Sequence, residues 1–188
     1  MSLEDLSRRI VSCQLCRLSE SRTSAVPGEG PRDAKIMLIG EAPGAQEDLT
    51  GRPFVGRAGR LLNKLLAEAG IERSQVFITS VVKCRPPANR KPKSDETGTC
   101  VKTYLRPQID VISPRVVCLM GNVASQAVIG RQGVTSIHGQ VFDDRILVTF
   151  HPAAVLRNMN LREAFISDLK AASHLAGTKK ALNELSSR

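Results

Sequence analysis

The chain of 188 residues has no tryptophan, one tyrosine and five phenylalanines. With aromatics so scarce, a phenylalanine outside an apolar run stands out. No apolar run approaches the roughly 20 residues that a membrane-spanning helix needs, which excludes an integral helical membrane protein. The opening residues, MSLEDLSRRIVSC, carry two acids and no long apolar stretch, so they do not read as a secretory leader. Repeats and low-complexity tracts are absent. Without a secretory leader, the five cysteines are not expected to form disulfides. These absences lead to the expectation of a soluble, cytoplasmic monomer. Its length suits one domain over 1–188 with a full core, and a frayed tail is expected over 177–188.

What is present begins with charge. The chain has 27 basic and 18 acidic residues, a net charge of +9. That balance suits a polyanionic partner, because Lys and Arg that contact phosphates release counterions.

Four short apolar runs, KIMLIG (35–40), VFITSVV (76–82), RVVCLMG (115–121) and ILVTF (146–150), are rich in Val and Ile and lack clean alternation. That pattern predicts strands buried on both faces. Helical patterns lie between them. RAGRLLNKLLAEAG stripes Leu61, Leu62, Leu65 and Leu66 and stops at Gly70. Ser94 is placed to cap a helix through Val101, Leu105 and Ile109, although Gly98 and Pro107 weaken it. NVASQAVIG ends at Gly130, and LREAFISDLKAASHL puts Leu161, Phe165 and Leu169 on one face. The alternation predicts an α/β fold, a three-layer αβα arrangement with a four-stranded parallel sheet.

In such folds the site lies beyond the carboxyl ends of the strands. The segments there are polar and rich in Gly and Pro: GEAPGAQEDLTGRPFVGRAG, KCRPPANRK, GNVAS and HPAAVLRN. Gly40 and Gly44 allow close backbone approach to a ligand, and Glu41 is an acid at a strand end. Phe54, in a Gly/Pro loop, suits a stacking platform for a nucleobase. His151, before Pro152, suits a hydrogen-bond donor to a developing anion; His138 and His174 read as structural. Cys118 lies in an apolar strand and reads as core. Cys13, Cys16, Cys84 and Cys100 remain, the number that a zinc or an iron-sulfur site requires, and sulfur ligands alone do not choose between the two.

The stretches GEAPGAQEDLTGRPFVGRAGRLL, VVKCRPPANRKP and HPAAVLRN, with the four-cysteine spacing, resemble the family 4 uracil-DNA glycosylases, the iron-sulfur type of archaea and thermophilic bacteria. The likeness runs from about Leu3 to Leu175 with the motifs in order. It implies a [4Fe-4S] cluster on Cys13, Cys16, Cys84 and Cys100, and excision of uracil from single- or double-stranded DNA. The base is flipped out before its N-glycosidic bond is hydrolysed.

The resemblance places His151 at uracil O2 and Phe54 against the base. Glu41, with the backbone around Ala42, positions or activates the attacking water, and Asn89 is a second polar candidate beside it. Val155 or Leu156 is the wedge that fills the gap left by the base. Arg157 contacts phosphate, and Arg85, Arg90, Lys91 and Lys93 line the backbone path. The family reads the uracil edge with an Asn at the end of the second strand, whereas this chain has Ser80 there. A single hydroxyl is too short to bond O4 and N3–H together. The alternative is therefore an iron-sulfur protein that binds uracil or DNA with weakened or altered glycosylase activity. A zinc-dependent nucleic-acid binder is disfavoured by the glycosylase motifs. A covalent uracil-trapping relative is disfavoured because its His-bearing insert is missing.

Overall fold

The computed structural model describes the backbone of residues 2–185 and the side chains of residues 2–178. Its centre is a sheet of β1 (Ile36–Gly40), β2 (Val76–Ser80), β3 (Val116–Met120), β4 (Val141–Phe142) and β5 (Ile146–Thr149). Strand order is β2-β1-β3-β5-β4. The four strands expected from the apolar runs are all present and mutually parallel. Every residue of β1, β2 and β3 is buried, which is why they show no alternation.

The fifth strand was not expected. β4 is a two-residue antiparallel edge, partly exposed, reached through Asp143 and Asp144 at positive φ. Two residues are too few for a period to register.

Helices cover the sheet: α1 (Leu3–Val11), α2 (Leu18–Ser21), α3 (Ala45–Thr50), α4 (Arg57–Glu68), α5 (Ser94–Cys100), α6 (Arg106–Ile112), α7 (Asn122–Ile129), α8 (Val134–Ile137), α9 (Pro152–Arg157) and α10 (Arg162–Leu185). α4 ends before Gly70 and α7 before Gly130, both at positive φ, as their glycines forecast. The Ser94 helix is modified in two ways. Lys93, not Ser94, is its N-cap, with Glu96 accepting from the Lys93 N–H at 2.7 Å. A π turn, Val101–Leu105, then joins α5 to α6. That wide turn falls just before Pro107, which cannot donate to a regular α-helical ladder. α10 continues to Leu185, so the tail expected over 177–188 falls largely outside the described side chains.

The buried core is continuous from Leu6 and Ile10 of α1 to Phe165 and Leu169 of α10. One polar knot sits inside it. The Thr149 hydroxyl donates to Asp168 at 2.7 Å, and His138 Nδ1 lies 3.3 Å from the same carboxylate. The His138 ring packs on Phe150, with centroids 4.6 Å apart. The knot ties α10 to the end of β5, two residues before His151, so the structural role read for His138 has a visible purpose. His174 is exposed on α10.

Candidate active site and cysteine cluster

The carboxyl ends of β1, β2 and β5 open into a cleft of about 520 Å³. Its lining includes Glu41, Ala42, Phe54, Ser80, Asn89 and His151, residues singled out from four separate stretches of sequence.

His151 is the N-cap of α9, with Pro152 at the first helical position. Its Nδ1 accepts the Ala153 N–H at 3.1 Å. An accepting Nδ1 carries no proton, so in the neutral ring the proton sits on Nε2. That Nε2 is buried and has no hydrogen-bond partner among the described residues. Burial, reinforced by Arg157, pulls the imidazole down to about 4, while Glu47 opposes the fall. The ring is therefore neutral at pH 7, with one N–H free to donate.

Phe54 packs 5.8 Å from the His151 ring and is itself buried. Its backbone is left-handed, φ 52°, which is uncommon for a bulky residue. Two glycines permit this placement. A Cβ on Gly40 would stand 2.5 Å from the Phe54 ring, and a Cβ on Gly59 would stand 1.9 Å from the Phe54 carbonyl oxygen. Arg73 fastens the loop from outside, donating to the Pro53 carbonyl at 2.6 Å and the Phe54 carbonyl at 3.4 Å.

Glu47 fastens it from inside. Its carboxylate accepts N–H groups of Val55 and Gly56 at 2.8 Å each and of Gly44 at 3.1 Å. One side chain thus joins the loop after β1 to the Phe54 loop. Sequence reasoning passed over Glu47; the signal was an acid three residues into a helix, the position from which a carboxylate reaches back to the cap N–H. Glu47→Ala is expected to destabilise the fold by about 1–3 kcal/mol, since up to three amides lose their acceptor. A urea titration should show a lower midpoint with an unchanged slope.

Glu41 follows β1 directly. Burial raises its carboxyl above the ordinary carboxylate value, and the charges of Lys91 and Arg157 hold the rise in check. Ser80 ends β2, in register with Gly40, and is buried at the cleft wall. Asn89 stands at the rim, left-handed and exposed, with its Oδ1 taking the Arg85 Nε–H at 2.8 Å.

The basic residues divide. Arg157 lines the cleft and Lys91 is exposed. Arg90 forks onto the buried Glu96 at 2.8 and 2.7 Å and braces the loop after β2. Of the two wedge candidates, Val155 is fully buried and Leu156 is exposed. Val155 is packed into the core beneath α9, while Leu156 is presented to solvent.

The four cysteines come from α2's approach, the loop after β2 and the end of α5. Among the described residues, no three His, Cys, Asp or Glu side chains are gathered tightly enough for a single ion. A tetrahedral zinc with bonds of about 2.3 Å needs its sulfurs about 3.8 Å apart. The cysteines are nonetheless mutual electrostatic neighbours: Cys84 feels Cys16 and Cys13, and Cys100 feels Cys84 and Cys16. Four cysteines are the ligand number of a four-iron cluster.

Three donors point at their sulfurs. Arg22 donates to Cys84 Sγ at 2.9 Å, the Leu15 N–H to Cys13 Sγ at 3.5 Å, and the Lys83 amide is directed at Cys100. Burial pushes the Cys100 thiol up to about 11 and raises Cys84 as well.

The uracil DNA glycosylase superfamily pattern matches residues 27–171. The chain is 45% identical over 192 residues to a type-4 uracil-DNA glycosylase of Sulfurisphaera tokodaii, covering 95% of this chain and 87% of that one. It is 40% identical to the type-4 enzyme of Archaeoglobus fulgidus, covering 95% and 96%. With the Thermotoga maritima type-4 enzyme the identity is 43%, covering 90% and 92%.

Proposed function

The chain belongs to the uracil-DNA glycosylase superfamily, and from that premise we propose how its cleft removes uracil from DNA. It is a DNA-repair hydrolase that cleaves the N-glycosidic bond of deoxyuridine and leaves an abasic site. The observation that carries the mechanism is the buried Nε2–H of a neutral His151, without a partner among the described residues, in a ring 5.8 Å from that of Phe54.

Uracil flipped from the stack enters between Phe54 and the strand ends. As the bond breaks, negative charge collects on the base, and the Nε2–H of His151 donates to O2. A neutral imidazole serves this role well, because it stabilises the anion without a proton transfer. Glu41, with the Ala42 backbone, directs water at the sugar and sets a negative charge beside the developing cation. Asn89, already held by Arg85, orders the mouth of the cleft. Leu156 fills the stack, while Arg157, Lys91 and Arg85 meet phosphates.

Cys13, Cys16, Cys84 and Cys100 would hold a [4Fe-4S] cluster. The group would join the N-terminal segment to the loop after β2 and to α5. The same reading makes the protein a cytoplasmic monomer working on genomic DNA.

An alkali-cleavage assay tests the function on single-stranded and U·G oligonucleotides. Strand scission at uracil is expected; binding without product over hours would refute catalysis.

Ser80 is the specificity question. An asparagine at this position would span O4 and N3–H, whereas a serine meets one of them. Ser80→Asn is therefore expected to raise kcat/KM on uracil by about 10-fold, the worth of one good bidentate contact at the low end of 1–3 kcal/mol. An unchanged or lower value would assign base reading to another group.

A further inference from the structure

A base stacked on Phe54 meets Ser80 at its edge, so the face and the edge of the pocket must keep a fixed separation. The structure ties both to β2. Ser80 is the last residue of that strand. The Phe54 loop is fastened to it by two arginines. Arg52 forks onto Glu29 at 2.8 and 2.9 Å, and the Glu29 backbone exchanges two hydrogen bonds with Ile78, in the middle of β2. Arg73 lies in the 3-10 turn, Arg73–Gln75, that leads directly into β2. Its guanidinium donates to the Pro53 carbonyl at 2.6 Å, to the Phe54 carbonyl at 3.4 Å and to Asn63 Oδ1 of α4 at 2.9 Å.

The two links are unequal. The Arg52–Glu29 pair is exposed, where solvent and salt weaken an ion pair. Arg73 is half-buried, and two of its acceptors belong to the backbone of a loop in which Phe54 sits at φ 52°. A bulky residue stays in that region only where its surroundings over-determine it. Gly59 supplies one side of the constraint by letting the Phe54 carbonyl lie against α4. Arg73 supplies the other, its planar fork spanning loop, helix and strand. Arg73 does not line the cleft; it lines a separate groove with Glu29, Arg52 and Ser74.

We propose that Arg73 is a positioning residue for uracil binding: by holding the Pro53 and Phe54 carbonyls at the head of β2, it sets the Phe54 ring against the base-reading end of the same strand. This role rests on the uracil site assigned above. It gives an arginine outside the cleft a part in affinity for the base, with no contact to base or phosphate.

The test is a double-mutant cycle in the full chain, with Arg73→Gln, Phe54→Ala and the pair. Kd for free uracil is read by calorimetry, and KM and kcat on a uracil oligonucleotide are read over a range of salt. Arg73→Gln is expected to raise the free-uracil Kd and KM roughly 10-fold, the loss of hydrogen bonds from a charged donor, with kcat changed less than about threefold. In the Phe54→Ala background the same substitution should add less than about twofold, because the ring it positions is gone. The salt dependence of KM should keep its wild-type slope.

A wild-type uracil Kd in Arg73→Gln, or full additivity in the cycle, would overturn the proposal. A salt slope reduced by about one with uracil affinity unchanged would also overturn it, and make Arg73 a phosphate ligand. If Arg73→Gln does not fold, Arg73→Lys carries the same cycle: lysine keeps the charge but lacks the planar fork, so the uracil Kd should still rise, and a wild-type value overturns the proposal. Failure of both to fold overturns it too, since the position would then serve the fold and not the base. A wild-type protein that releases no uracil would defeat the glycosylase reading separately, with the free-uracil Kd still deciding the role of Arg73.

Discussion

Replacing His151 by alanine is expected to lower kcat by about 10²–10³-fold, the usual effect of deleting one preorganised donor to a developing oxyanion. KM should change little, because the bond to O2 strengthens only as charge reaches the base. The structure makes the expectation specific. Nδ1 is occupied by the Ala153 N–H, and Nε2 has no partner among the described residues. The same substitution removes a helix cap, which typically costs about 0.5–2 kcal/mol. His151→Asn separates the two effects: asparagine restores the cap but carries no donor at the position of Nε2. Its thermal midpoint should recover while its kcat stays low. Full activity in His151→Ala would remove the histidine from the mechanism.

The depressed histidine also has a stability consequence. Folded, it titrates near 4 against an ordinary 6.5. Between those values the unfolded chain binds the proton first, so this group's contribution is full above pH 6.5 and is lost as pH falls towards 4.

Glu41→Gln is the second large effect, an expected loss of about 10²–10⁴ in kcat if the carboxylate takes the proton of the attacking water. Burial raises Glu41 above 4.5, against the pull of Lys91 and Arg157. Its protonated form is inactive in this scheme. The acid limb of kcat/KM should therefore lie above the ordinary carboxylate range, with activity falling as pH falls through it. His151 adds no limb near 6.5. Removing the larger opposing charge, in Lys91→Ala, should move the limb to higher pH, and Glu41→Gln should abolish it. A limb that survives in Glu41→Gln belongs to another group.

Much of this molecule was readable from its residues. Strands buried on both faces announce themselves as unbroken apolar runs, and Gly70 and Gly130 close helices where expected. The strand-end rule then gathered Glu41, Ser80 and His151 from distant stretches into one cleft. What escaped reading has physical causes. Glu47 looks like any helical acid until its three amide partners are seen. Lys83 follows a buried strand, but a lysine is ordinarily a surface residue, and no periodicity marks it as enclosed. The brace from Arg90 to Glu96 escaped reading because Glu96 lies three residues into the next helix. Val155 and Leu156 are adjacent and both apolar, so only the rotation of α9 tells which one faces out.

The strand order carries a consequence for how the protein is made. Cys13, Cys16, Cys84 and Cys100 lie within the first 100 residues, a stretch that contains β1 and β2 but none of β3, β4 or β5. During synthesis the half bearing these cysteines emerges from the ribosome before the half bearing His151 exists. A cluster inserted at that stage would cross-link a nascent β1–β2 layer, leaving β1's second edge open as the template on which β3 and then β5 are laid. Iron supply would then bear on the yield of newly translated enzyme, beyond any bearing it has on the mature one.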